Sequence, residues 1–361
     1  AYAFMGLPAG FLLKGKGYKF TALAAVAVGF VGVGISYLSG VVGSFPVYLL
    51  GAFVSGFSMC MLNTVVNPML NTLGGGGNRG NQLIQLGGSM NSLAATIVPV
   101  LVGYLIAGAT KASIADVNPA LYIAMGIFAL AFVIIFFSEI PEPELEAAKA
   151  EGAKKQEGTM DSIKGALSHR NLVFGIIAIF FYVGVEVGIP NVANLYMTDV
   201  NGLNIAAGAA GSLVGAYWFL MLIGRLVGGF VGGKVSSRVM TAAVCGTAIF
   251  FLLCAMFLPK DMTMTLLGAT VPVSILFFVL CGLCTSVMWG AIFNLAVEGL
   301  GKYTSIASGL FMVMVCGGGI VPLVQGLVAD IAGYLPSYWV LVASLAFIFW
   351  FGLSGSKVKK A

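Results

Sequence analysis

The sequence predicts an all-α integral membrane protein arranged as two pseudo-symmetric six-helix bundles. Three observations predict it. Of 361 residues, 59% are hydrophobic and only 9% charged, with a mean hydropathy of +1.02. Uncharged runs of spanning length follow one another along the chain, and short motifs in the first half recur in the second. A soluble domain carries about 25% charged residues, and a membrane span needs about 20 apolar ones. The composition therefore excludes a soluble enzyme, a nucleic-acid binder and a secreted disulfide scaffold. The net charge of +5 carries information only through its distribution.

In chain order, a half-span is expected at 1–13, then spans at 18–40, 44–72, 82–108, 118–139, 171–199, 206–232, 237–258, 265–297, 303–329 and 334–354. The opening segment AYAFMGLPAGFLL has no basic leader and no small-residue cleavage site, so it reads as the second part of a helix rather than a signal peptide. Several spans exceed the minimum length, as tilted helices do. The 50 glycines suit close helix packing in lipid. Residues 140–170, PEPELEAAKAEGAKKQEGTMDSIKGALSHRN, form the one polar stretch, and Met160–Leu167 within it has the pattern of a short amphipathic helix on the membrane surface. The expected domains are a helical bundle at 1–139, a linker at 140–170 and a six-helix bundle at 171–361.

Ile97-Val98-Pro99-Val100-Leu101-Val102-Gly103 reads against Ile320-Val321-Pro322-Leu323-Val324-Gln325-Gly326. Asn67 with Leu73-Gly74 reads against Asn294 with Leu300-Gly301, and Gly6-x-x-x-Gly10 against Gly224-x-x-x-Gly228. The offsets are nearly constant and the repeats run in the same topological sense, as in parallel-repeat secondary transporters of the major facilitator class. Matching four and a half spans to six implies that about one and a half helices belong before Ala1 in a twelve-span protein.

Assigning alternate loops to opposite sides puts fifteen of the eighteen Lys and Arg on one side. Lys111 and Lys260 fall on the other, and Arg225 lies within a span. The crowded side is expected to be cytoplasmic, with the linker and C-terminus inside the cell and the protein in the inner membrane. The six cysteines lie in apolar runs, where cysteine behaves as a small hydrophobe. The Cys281-x-x-Cys284 pair has no second pair to make a metal site. The single histidine, His169, is in the linker, so no metal and no histidine-based catalysis are expected.

Glu186 sits mid-span in FFYVGVEVGIPNVANLY. A carboxylate there costs on the order of 3 kcal/mol and should face a cavity or a partner. Desolvation favours the neutral form of a carboxyl, which suits proton coupling or sugar binding. Tyr182 and Asn194 lie roughly on its face, with Pro190 between them and Asn191 nearby. Asn63, Asn67 and Asn71 share a face of one helix. Gln82, Gln85, Ser89, Ser92 and Thr96 stripe the next, with Asn91 beside them. Amides offer donors and acceptors to sugar hydroxyls and to neighbouring helices alike. Trp218 and Trp289 fall within spans rather than in the interfacial belts, where stacking on the C–H face of a pyranose or lipid contact would use them. Arg225, in Gly224-Arg225-x-x-x-Gly228, is placed to pair with carbonyls or a carboxylate and latch helices as a gate.

These residues resemble the fucose:proton symporter family of the major facilitator superfamily. The likeness rests on Gly6-Leu7-Pro8-Ala9-Gly10 with Lys14 and Gly17-Tyr18-Lys19, and on Asn67-Pro68, Leu73-Gly74, Asn91-Ser92, Tyr182-Val183-Gly184, Gly224-Arg225 and Gly317-Gly318-Gly319-Ile320-Val321. Tyr182 to Val187, Tyr217-Trp218, Gly299-Leu300-Gly301 and Gln325-Gly326 with Asp330 are more like the glucose/galactose transporter branch. Fucose members carry a membrane Glu where this chain has Asn63, a Gln where it has Gly88, and a Gln where it has Glu186. The resemblance implies the major facilitator fold and import of a monosaccharide driven by H⁺ or Na⁺. In that setting Glu186, Asn63, Asn91, Asn191, Asn194, Trp218, Trp289 and Tyr182 are the expected substrate-binding residues. Glu186 is the expected proton-coupling group and Arg225 the gate. The expectation is a monomeric hexose symporter in lipid with no other cofactor and no nucleic-acid partner. L-fucose or another sugar is the alternative substrate, and a drug or metabolite efflux antiporter the alternative activity. An enzyme is not expected.

Overall fold

The computed structural model describes residues 1–106, 118–142, 145–146 and 159–358. Lys111, the end of the span expected at 82–108 and most of the linker lie outside the described residues. The first helix, α1, runs Tyr2–Val42 and joins the expected half-span and first full span across a kink at Gly17. Then follow α2 (Phe45–Leu73), α3 (Gly77–Ile106), α4 (Asn118–Phe137) and a short α5 (Thr159–Leu167) where the amphipathic segment was expected. The second half has α6 (Arg170–Thr198), α7 (Ala207–Val231) and α8 (Ser237–Phe257). After them come α9 (Val273–Ser286), α10 (Met288–Val297), α11 (Thr304–Val313), α12 (Gly317–Ala332) and α13 (Tyr334–Trp350). Nine helical segments among the described residues are long and apolar enough to cross a membrane. The more polar α3 is not one of them. No residue of α4 is buried, as suits a helix whose apolar surface faces lipid.

One expected span needs correction. Residues 265–272 do not begin a helix. Strands β1 (Thr263–Leu266) and β2 (Ala269–Pro272) pair antiparallel, with Thr263 opposite Pro272 and Leu266 opposite Ala269. Leu267 (φ 50) and Gly268 (φ 82) form the turn, and two residues at positive φ match the twist of a tight hairpin. Thr263, Thr265, Thr270 and Val271 are β-branched, which favours strand over helix. The spans after it are also interrupted: α9 and α10 break at Val287, and a 3-10 turn at Met314–Cys316 separates α11 from α12.

The contacts divide the described chain into two compact units. One comprises 1–69, 94–168 and 300–313. Within it α1 meets α11 on a seam of glycines: a Cβ at Gly6 would lie 2.7 Å from the Gly309 carbonyl oxygen, and one at Gly10 3.0 Å from Gly309 Cα. Small residues at such crossings replace the hydrophobic driving force that lipid lacks. Leu13, Tyr18, Ala22 and Val65 form one buried cluster, and Ala9, Ala25 and Met61 another. The other unit comprises 70–93, 169–299 and 314–361. In it α6 packs on α12 with Gly184 against Val321 and Gly188 against Gln325.

At the α1 kink, Gly17 adopts φ 81, a conformation only glycine takes without strain. The helix that restarts there has unpaired N–H groups. Tyr18 and Lys19 donate theirs to the Glu142 carboxylate at 2.7 and 2.8 Å. Lys14 Nζ donates to Ser162 Oγ of α5 at 2.6 Å. The Glu142 carboxylate thus acts as an N-cap supplied from a distant segment. Glu142→Ala is expected to lower stability by about 1 kcal/mol, the usual loss for such a cap. Thermal unfolding of the purified protein in detergent checks this. Glu142→Gln, which keeps one acceptor, should fall between, and an unchanged midpoint in both variants would refute the capping role.

Candidate functional site

Pro190 has no N–H, so the Glu186 carbonyl one turn earlier loses its helical donor. An unpaired carbonyl is costly inside a membrane. Tyr217 of α7 fills the place, its hydroxyl donating to the Glu186 carbonyl oxygen at 3.0 Å and sharing a hydrogen bond with Thr285 Oγ1 at 3.0 Å. The same rule operates in the other unit, where Pro68 frees the Thr64 carbonyl and Ser308 Oγ donates to it at 3.0 Å. Proline, which would weaken an isolated helix, here recruits a hydroxyl from a neighbouring one.

The Glu186 side chain meets Arg225. Nη2 of Arg225 lies 3.2 Å from Glu186 Oε1, and the two side chains are 11% and 14% exposed. The rest of the guanidinium is used as well. Nη1 donates to Ser92 Oγ at 2.7 Å and to the Gly88 carbonyl at 3.2 Å, both on α3, and Nε donates to the Ser286 carbonyl at 3.3 Å. Ser286 ends α9, and at the adjoining break Gln85 Nε2 donates to the Val287 carbonyl at 2.7 Å. Arg225 therefore ties α3 from the first half of the sequence to α6, α7 and α9 from the second. Arginine suits this place because its planar fork spreads one charge over several fixed donors. A buried carboxylate and guanidinium neutralise each other, which is how charges persist within membrane spans.

Aromatic groups surround the pair. Buried Tyr182 lies one turn before Glu186 on α6, within electrostatic reach of both Glu186 and Arg225. Its ring meets Trp289 edge-on at 6.2 Å. Trp218 stands edge-on to Tyr217 at 5.2 Å and is 37% exposed. The structure thus brings together Glu186, Arg225, Tyr182 and Trp289, with Trp218 beside Tyr217. Asn91, next to Ser92 on α3, is exposed, as is Asn191, while Asn194 is half-buried. None of these three amides hydrogen-bonds through its side chain to another described residue. Asn63, in the other unit, donates to the Tyr2 hydroxyl at 2.8 Å. Asn67 donates to the Asn63 carbonyl at 2.8 Å, and it is Asn71 that meets Asn294, at 2.7 Å. Asn294 in turn donates to Ser237 Oγ at 2.8 Å.

Tyr217 and Thr285 did not stand out in the sequence as site residues. The signal for them is Pro190, which demands a donor for the Glu186 carbonyl but does not say which helix provides it.

Residues 1–322 match the Major Facilitator Superfamily. The glucose/galactose transporter of Brucella abortus biovar 1 (strain 9-941) is 29% identical over 360 residues, covering 99% of this chain and 83% of the relative. The L-fucose-proton symporter of Escherichia coli (strain K12) is 24% identical over 373 residues, covering 96% of this chain and 81% of the relative. The crystal structure of the transporter FucP in the outward conformation superposes with a TM-score of 0.84 at 21% identity, over 99% of this chain and 88% of that one. The proton:xylose symporter XylE superposes at 0.71 with 14% identity, over 99% and 84%. The fold expected from the repeats is the fold observed. The protein is a multi-pass membrane protein of a transporter family rather than an enzyme. A family match that begins at residue 1 and runs through both halves of the helical architecture settles its kinship: the chain belongs to the Major Facilitator Superfamily.

Proposed function

We propose that the protein is an ion-coupled monosaccharide symporter of the glucose/galactose class, working by alternating access in the cytoplasmic membrane. The observation that carries this reading is the Glu186–Arg225 pair, a titratable carboxylate held mid-span by an arginine that also grips a helix from the other half of the sequence. Sugar binding and ion binding can both act on such a pair, because either changes what Arg225 must hold. The names of the Brucella and Escherichia coli relatives point to a hexose or deoxyhexose as cargo. On this reading Tyr182, Trp289 and Trp218 present ring faces to the sugar, and Asn63, Asn91, Asn191 and Asn194 offer amides to its hydroxyls. Glu186 carries the coupling proton, with Na⁺ the other candidate ion, and Arg225 is the gate. The bundles 1–139 and 171–361 move about the site, joined by the linker 140–170. The linker and C-terminus face the cytoplasm, and the monomer is the working unit.

Uptake of labelled D-glucose and D-galactose by cells producing the protein tests the reading. Concentrative uptake that collapses with a protonophore and persists without sodium supports proton symport, and the opposite pattern assigns sodium. Stronger competition by L-fucose than by either hexose would move the substrate to the deoxyhexose class. Absence of sugar uptake together with ion-driven export of apolar compounds would overturn the proposal in favour of an efflux antiporter.

A further inference from the structure

At the C-terminal end of α6, an open polar cavity of about 550 Å³ lies between the end of that helix, the segment after α8 and the α12–α13 turn. Its volume is that of a small-molecule site. Tyr196, Asp199, Asn201, Lys260, Asp330 and Tyr334 supply its chemistry. The Tyr334 hydroxyl donates to Asp199 Oδ2, and the Asn201 N–H donates to Oδ1 at 2.8 Å. Those two bonds hold the Asp199 carboxyl below the usual carboxylate range, the Tyr334 hydroxyl contributing most. They also fix the Tyr334 ring 5.9 Å from that of Tyr196. Lys260 Nζ sits over the Tyr196 ring, 5.6 Å from its centroid. Neither Lys260 nor Asp330 forms an ion pair with a described residue. Tyr196 is only 2% exposed, yet its hydroxyl has no hydrogen-bond partner among the described residues.

The charges choose the ligand. A free cation would face Lys260, and an anion would face Asp199 and Asp330. A neutral polyhydroxylated molecule satisfies both signs of charge: its hydroxyls donate to the carboxylates and accept from Lys260, and its C–H face lies on the Tyr334 ring. We propose that this cavity is a second, outer monosaccharide site that captures sugar before it reaches Glu186. The proposal rests on the sugar-symport reading above. Asp199 caps the C-terminus of the helix that carries Glu186, thirteen residues further on, which is roughly 20 Å along its axis. The two sites are therefore separate.

The test is equilibrium binding of tritiated D-galactose to the full chain in lipid nanodiscs, paired with uptake kinetics. Wild type should bind two sugars per chain. The double variant Lys260→Gln/Asp330→Asn, at two exposed positions, should bind one and raise the KM for sugar supplied from outside about fivefold, with Vmax within twofold of wild type. Uptake with an unchanged KM and unchanged stoichiometry in that variant overturns the outer site and leaves the symport reading standing. Failure of the wild type both to bind and to take up D-galactose removes both. A fall in Vmax at constant KM also overturns the outer site, since a capture site acts on the concentration dependence.

Discussion

Replacing Arg225 by alanine is expected to destabilise the protein by about 3–5 kcal/mol, the range for removing one member of a buried ion pair. The cost has two parts. Glu186 is left as an uncompensated carboxylate in an apolar setting, and the guanidinium's bonds to Ser92 Oγ and to the Gly88 and Ser286 carbonyls are lost. Arg225→Lys should recover only part of this, because one ammonium cannot span the four oxygens that the guanidinium fork reaches. The double variant Arg225→Met/Glu186→Gln removes both charges and should regain most of the thermal midpoint lost in Arg225→Ala. Thermal unfolding in detergent of the four proteins distinguishes the sources. If the double variant is as unstable as Arg225→Ala, the loss comes from helix packing around the arginine and the ion pair is not its origin. Sugar uptake should be absent in Arg225→Ala and in the double variant, since neither retains a gate that responds to Glu186.

How much of this arrangement the sequence discloses depends on the distance over which each contact acts. Spanning helices are read from continuous hydropathy, and nearly every boundary lies within a few residues of the structure's. The hairpin at 263–272 escapes the same window because average hydropathy is blind to period: threonine alternates with apolar residues only over the four positions of β1, and β2 has a single threonine. Gly268 between the two short runs is the local signal. Glu186 is legible as a mid-span charge, but its partner is thirty-nine residues away on another helix, and the remaining oxygens around Arg225 come from two further elements. No spacing rule connects such positions. The repeat aligned Asn67 with Asn294, yet Asn71, one turn further along α2, makes the contact. Sequence repeats equate positions in two halves, whereas contacts join positions that face each other, and a four-residue shift keeps the same helix face.

Glu186→Gln should separate transport from coupling. Glutamine keeps the shape of the side chain and an oxygen that Arg225 can still donate to, so the fold and the contacts to α3 are expected to survive. What it removes is the proton. With the carboxylate ionised, Arg225 is balanced across α6 and α7. With the carboxyl protonated, the guanidinium retains only neutral oxygens on α3 and α9, and the balance of forces between these helices changes. In the proposed symporter this difference is what links proton binding to the opening of the site. The variant, reconstituted in proteoliposomes, should therefore exchange labelled D-galactose across the membrane in counterflow at a rate within about tenfold of wild type. It should fail to accumulate sugar against a gradient, and its exchange should lose the pH dependence seen in wild type. Accumulation against a gradient with the wild-type pH dependence would assign coupling to another group and leave Glu186 as a structural counter-ion of Arg225. Loss of counterflow as well, in a protein that keeps its thermal midpoint, would instead make Glu186 a direct sugar ligand, because a carboxylate that binds hydroxyls is needed for exchange and accumulation alike.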